Sequence, residues 1–224
     1  MIRSLYISAK DLRTELRTKQ VLNSMLVFSI VVMVIFSLSL SDVLSDSSVI
    51  DRLAPGLLWI AFIFAGMLGI TRTFASETEN GCLEGLRLCP VDSAAIYTGK
   101  AISSMCLMFI VEIATVPVFM VLFNYTIPDI PVMAIVILLG TAGFSAVGTL
   151  LSALTVNTRT REILLPVLLL PLLVPVLIPA VLATGKILAG DGIFEIITEL
   201  RLMVVYDIVF FTLARLLFDH TLEG

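Results

Sequence analysis

Read for its apolar and polar positions, the chain alternates long uncharged runs with short polar ones. Val21 to Leu40 holds no charge over 20 residues, which at about 1.5 Å per residue crosses a hydrocarbon core of roughly 30 Å. Leu53 to Thr71 runs uncharged between Arg52 and Arg72, with Trp59 inside it. Ala101 to Phe123 is interrupted only by Glu112, and Ile130 to Val156 and Ile163 to Gly185 are uncharged. Leu200 to Phe218 is less clean, containing Arg201, Asp207 and Arg215. The pattern predicts an all-α polytopic membrane protein, one transmembrane domain over residues 1–224, with spans near 21–40, 53–71, 101–123, 130–156, 163–185 and 200–218. Ahead of them, Leu5, Ala9, Leu12 and Leu16 recur at i, i+4, i+7 and i+11, with Lys10, Arg13 and Arg17 among the polar positions. Residues 1–19 are therefore expected to form a basic amphipathic helix in the headgroup layer, retained rather than cleaved as a signal.

The only long polar run inside the chain is Ser76 to Lys100. Ser76-Glu77-Thr78-Glu79 fits a capping box, which predicts a short helix starting there, and Pro90 stops it. Asp92 or Ser93 can cap the next helix. Leu83, Leu86, Cys82 and Cys89 give the short helix an apolar stripe, and Glu77, Asn80, Glu84 and Arg87 offer polar contacts. The residues suit either a surface gripped by another protein or a solvated connector.

Composition sharpens the class. At 58% hydrophobic, 14% charged and a mean hydropathy of +1.08, the chain is far more apolar than soluble domains. A net charge of −4 argues against nucleic acid as a partner. Cys82, Cys89 and Cys106 are odd in number and lack C-x-x-C spacing, so free thiols are expected rather than a disulfide framework or zinc site. Catalysis finds no support: no phosphate-binding glycine loop precedes Lys186, and His220 is the single histidine. Six spans put both termini on one side. Eleven lysines and arginines fall on that side (Arg3, Lys10, Arg13, Arg17, Lys19, Arg72, Arg87, Lys100, Arg159, Arg161, Arg215), against Arg52, Lys186 and Arg201 on the other. The bias predicts cytoplasmic termini and cytoplasmic loops at 76–100 and 157–162.

Within the spans, Gly140, Ala142, Gly143, Ser145, Ala146, Gly148, Thr149 and Ser152 mark the fourth as a packing element, since small residues let helix backbones approach. Pro166, Pro171, Pro175 and Pro179 predict a kinked or partly unwound fifth span, either moving or architectural, with Pro171 and Pro175 the candidate gating positions. Glu112 and Asp207 are acids at membrane depth, fit for a pathway or for a structural bond. Arg201 and Arg215 are candidate partners of Asp207, although neither stands at i, i+4 spacing. Asp191 to Glu199 predicts a short interfacial helix on the outer side.

The run from Asp51 to Ala101 resembles the CcmB family, the haem exporter protein B permeases of cytochrome c maturation: an R-x-A-P-G-x-x-W opening to span two, then G-x-L-E-x-L-x-L-x-P and a lysine at the start of span three. Leu138 to Ala180 is similar to that family's glycine-rich fourth span, Arg-bearing loop and proline-rich fifth span. The resemblance implies an ABC-2-type permease that dimerises in the cell inner membrane, with the loop between spans two and three docking on a separate ATP-binding subunit, CcmA. It further implies partnership with CcmC, CcmD and the haem chaperone CcmE, ATP hydrolysis on the partner subunit linked to haem delivery and release of the haem-loaded chaperone, haem as a candidate cargo, and no cofactor bound firmly by this chain. By position, Glu77, Asn80, Gly81, Leu83, Glu84 and Leu86 would lie at the ATPase interface. An ABC-2 permease for another lipid-soluble cargo, and a non-transporting scaffold, are the alternatives.

Overall fold

A computed structural model describes residues 2–40, 47–79, 93–155, 158 and 160–223. Seven α-helices are present among them: α1 Ile2–Thr18, α2 Gln20–Ser39, α3 Ser47–Glu79, α4 Ser93–Phe123, α5 Ile130–Thr155, α6 Arg161–Leu188 and α7 Ile197–Glu223, with a 3-10 turn at Ile193–Ile196 before α7. Helices α2 to α6 each hold a stretch long and apolar enough to cross a membrane, making this a multi-pass membrane protein. Helix α7 is long enough by length, yet Glu199, Arg201, Asp207 and Arg215 leave it more polar than the other five.

Helix α5 is the hub, packed against α3, α4, α6 and α7. Its glycines set the distances. A Cβ on Gly140 would collide with the Trp59 indole of α3, and one on Gly148 with the Ile70 side chain. At Gly143 it would meet Asp207 Oδ1 at 2.6 Å and the Tyr206 ring at 2.9 Å, so α7 lies directly on α5. The small residues thus act as expected, in contacts made within one chain. Trp59 is anchored by donating from Nε1 to Thr184 Oγ1 on α6 at 3.0 Å, which joins three helices through one side chain.

The ends of the helices are explained locally. Helix α4 closes at Asn124, whose φ of 54° turns the chain and lets the Tyr125 N–H bond to Met120 O at 3.0 Å. Asp129 then caps α5 by accepting from the Val132 N–H at 3.1 Å. At this end Lys186 of α6 donates to Glu195 O at 2.9 Å and to Glu199 Oε1 at 2.8 Å, clamping the 3-10 turn beneath α7. At the opposite end α1 packs along α4, and Ile7, Tyr97, Leu150, Phe211, Ala214 and Phe218 form a separate apolar cluster. Helix α7 therefore runs the full height of the bundle, and both chain ends lie at the end that carries α1.

Three boundaries differ from the sequence expectation. Ser76–Glu79 is the last turn of α3 and not the start of a new helix. From Arg72 through Ala75 no glycine or proline stops the ladder, and inside a helix the capping-box donors are already bonded to preceding carbonyls. Lys100 stands inside α4, which begins at Ser93. The outer interfacial helix is reduced to the four-residue 3-10 turn, where Phe194 is 84% exposed, because Gly190 at φ 91° and Gly192 keep the preceding chain open.

Two tests follow from this packing. Gly140→Ala should lower unfolding stability in detergent by about 1–3 kcal/mol through overpacking against Trp59. Gly56→Ala, where a Cβ meets nothing within 4 Å, should leave it unchanged or slightly higher. At the clamp, the hydrogen bond from Lys186 outweighs burial and holds the Glu199 carboxyl below the usual carboxylate range. A depressed folded value means that its stabilisation is complete above the unfolded value near ~4.3 and is lost as pH falls through the folded one. Thermal melts in acid should show this loss in the wild type and a flatter acid limb in Glu199→Gln.

Candidate functional site

Apart from the Lys186 clamp, two groups of polar contacts among the described residues bear on function: one at the α1 end of the bundle, and one in a layer about halfway along α4 and α5. At the α1 end, Lys100 is 2% exposed and its ammonium lies 2.8 Å from Asp11 Oδ2 on α1. Gly99 makes room for this contact, since a Cβ there would sit 2.8 Å from Ser4 O and 2.9 Å from Ile7 Cβ. Glu15 Oε1 accepts from the Val21 and Leu22 N–H groups at 2.7 and 2.9 Å, capping α2 from the preceding helix. Tyr97 donates its hydroxyl to Ala146 O of α5 at 3.0 Å. The start of α4 is thus fastened to α1 by charge and to α5 by a hydrogen bond.

Those fastenings lie just after the segment predicted to meet an ATPase. Asn80, Gly81, Leu83, Glu84 and Leu86 lie outside the described residues. Glu77 lies in the last turn of α3, where the backbone alone is described. The structure does place the elements that bracket the segment: α3 ends at Glu79 and α4 begins at Ser93.

In the middle layer, Glu112 of α4 is 1% exposed, and both its carboxyl oxygens lie within hydrogen-bond reach of Thr141 Oγ1 of α5, at 2.8 and 2.7 Å. Ser29 of α2 and Thr115 of α4 bond at 2.9 Å one turn away. Asp207 of α7 lies against Gly143, its Oδ1 buried with no hydrogen-bond partner in the protein. The candidate ion pair with Arg201 or Arg215 is not formed; both arginines are exposed on other faces of α7. Glu112 and Asp207 both approach α5, but from different helices, and nothing joins them to Pro171 or Pro175, which are exposed on α6.

Helix α6 is helical from Arg161 to Leu188 with all four prolines inside, so the expected unwinding is absent. Four missing N–H groups in 28 residues leave most of the ladder intact. The carbonyl of Leu172, whose helical donor is the residue just after Pro175, also accepts the Tyr206 hydroxyl at 2.9 Å. Neighbouring helices meet backbone groups near proline in this way in membranes.

The family model for "CcmB protein" matches residues 2–224. The chain belongs to the CcmB family. It is 30% identical over 162 residues to the Heme exporter protein B of Rhodobacter capsulatus, covering 72% of this chain and 73% of that one. The Heme exporter protein B of Pseudomonas aeruginosa is 31% identical over 162 residues, 72% of this chain and 71% of the relative. That of Escherichia coli K12 is 30% identical over 93 residues, 42% and 41% of the two chains. CcmB membership extends to the residues after 184, which the sequence motifs left unassigned.

Sequence reasoning missed the Asp11–Lys100 pair and the Glu15 cap. A signal was present: Asp11 and Glu15 are i, i+4 acids on an otherwise basic helix, and Lys100 is a lone cation inside a long apolar run. Lys100→Met should loosen α1, because it leaves Asp11 only the exposed Lys10 ammonium 3.1 Å from its other oxygen, at a cost of roughly 1–3 kcal/mol. Limited proteolysis of α1 in membranes checks this, and adding Asp11→Asn should recover part of the protection.

Proposed function

We propose that this chain is the membrane subunit of a haem exporter complex of the ABC type, acting in cytochrome c maturation and itself without enzymatic activity. The observation that carries the reading is the match of the whole described bundle to the CcmB family, whose curated relatives bear the name Heme exporter protein B. In this reading α7 is the sixth crossing helix. It runs between the two ends of the bundle and turns Leu202, Val205, Ile208, Val209, Leu213 and Leu216 outward, an apolar face suited to lipid. Both termini then lie in the cytoplasm of a cell whose inner membrane holds the protein, in accord with the lysine and arginine bias.

The segment 76–100 is the coupling element, with Glu77, Asn80, Gly81, Leu83, Glu84 and Leu86 against a CcmA-like ATP-binding subunit. Mechanical plausibility comes from its flanks. The end of α3 and the start of α4 carry it, and α4 is tied to α1 through Lys100 and to α5 through Tyr97. A push on the segment is therefore received by several helices together. A second copy of the chain completes the permease, CcmC, CcmD and CcmE-like proteins receive or hand over the haem, and ATP stays with the partner subunit. Haem enters this description as cargo.

Glu84→Lys should abolish or strongly reduce recovery of the ATP-binding subunit with the tagged chain from native membranes, while insertion and yield of the chain stay normal. Undiminished co-purification would remove the coupling assignment. Recovery of an ATPase without haem-handling proteins would keep the permease and discard haem as its cargo.

A further inference from the structure

The middle layer contains a hydrogen count that does not close for a carboxylate. Thr141 Oγ1 lies 2.8 and 2.7 Å from the two Glu112 oxygens and 2.8 Å from Ile137 O. A threonine hydroxyl carries one hydrogen, and a carboxylate and a carbonyl carry none. With Glu112 ionised, Thr141 can serve either the acid or Ile137 O, and the other contact sets two lone pairs face to face in a fully buried place. With Glu112 protonated, its O–H donates to Thr141 Oγ1, and the Thr141 O–H donates to Ile137 O. Two hydrogens then serve the three contacts, where the ionised form supplies one. Among the described residues no lysine or arginine forms an ion pair with Glu112.

One turn nearer the α1 end lies a cavity between α2, α3, α4 and α5, lined by Met25, Gly66, Gly69, Ser104, Met108 and Ser145, among others. Met108 precedes Glu112 by four residues and Ser145 follows Thr141 by four, so the cavity lies one helical turn from the pair. Its volume of about 10 Å³ matches the room that a single water requires. Ser145 is 2% exposed, and its Oγ has no hydrogen-bond partner in the protein. An unpartnered hydroxyl in an apolar interior costs free energy that one water recovers. The next turn repeats the arrangement with a buried, unpartnered Thr149 hydroxyl, and Ser152 beyond it donates to Ile70 O at 3.0 Å.

We propose that Glu112 is a neutral acid donating to Thr141, and that a single-water site between Ser104 and Ser145 supplies it with exchangeable protons. In that exchange the water crosses the one turn that separates its cavity from Glu112, takes the Glu112 proton and returns one of its own, so the buried site is neutral before and after. Glu112 is then both a latch between α4 and α5 and a group whose proton communicates with the hydroxyls running along α5 towards Thr155. Haem transport and ATPase coupling are not premises of this inference.

Infrared difference spectroscopy of the full chain in lipid nanodiscs tests it without any cargo. The wild type should show the carbonyl stretch of a protonated, hydrogen-bonded carboxylic acid that Glu112→Gln lacks, and that band should shift when H2O is replaced by D2O. Ser145→Val, which fills the cavity, should keep the band and slow its shift several-fold. Ser145→Ala, which deletes the hydroxyl without adding bulk, should act in the same direction and serves if valine does not fit. Thr141→Val should move the band to higher frequency by removing the acceptor, and reads the same bond if Glu112→Gln fails to fold. A band unaffected by both Glu112→Gln and Thr141→Val overturns the neutral acid. A band that never shifts in D2O, or that shifts equally fast in both Ser145 variants, overturns the water site.

Discussion

Inside hydrocarbon a hydroxyl or a freed carbonyl has no solvent to turn to, so whatever its own helix does not satisfy must be met by another helix or by trapped water. That constraint organises this bundle around α5. Its glycines bring the Trp59 indole, the Ile70 side chain and the Tyr206–Asp207 step of α7 into contact with its backbone. Its hydroxyls meet α3 through Ser152 and α4 through Thr141. Close approach and polar satisfaction are the same event here: a side chain larger than glycine at 140 or 143 would separate the helices that supply the partners.

Helix α6 is also tied to its neighbours through polar groups. Taken alone, four prolines in a span argue for an opened helix. In the bundle α6 stays helical, and the Leu172 carbonyl beside Pro175 is reached by the Tyr206 hydroxyl. Trp59 likewise uses Thr184, whose own hydroxyl bonds to Ala180 O, to bind α3 to α6. The continuity of α6 rests on the ladder that its four prolines leave intact, to which α3 and α7 add bonds at Thr184 and at the Leu172 carbonyl.

This explains what could be read from the sequence and what could not. Uncharged runs bounded by charges gave five spanning helices directly, because length and apolarity are local properties. The small-residue face of α5 was legible for the same reason, as was the turn at Asn124 to Asp129. Helix ends were not: α3 continues through Ser76–Glu79 because nothing in Arg72 to Ala75 stops it, and a four-residue capping motif cannot report what precedes it. Asp11–Lys100 joins residues 89 positions apart, and Glu112–Thr141 joins residues 29 apart. Such pairs depend on which helices become neighbours, which periodicity within a single helix does not contain. The coupling role expected of Asn80 to Leu86 comes from family resemblance, and those residues lie outside the described ones.

The flanks themselves give α1 a structural role of its own. Its outward face keeps Leu5, Tyr6 and Leu16 exposed for lipid, while its inward face carries Ser4, Ile7, Asp11 and Glu15 to α4 and α2. A buried ion pair such as Asp11–Lys100 adds little net stability against an apolar substitute, but it penalises any displacement that separates its members. It therefore fixes the register of α1 on α4 more than it holds the fold together. Lys100 follows closely on the segment that joins α3 to α4, so the start of α4 is tied to α1 through Asp11, and α1 to α2 through the Glu15 cap.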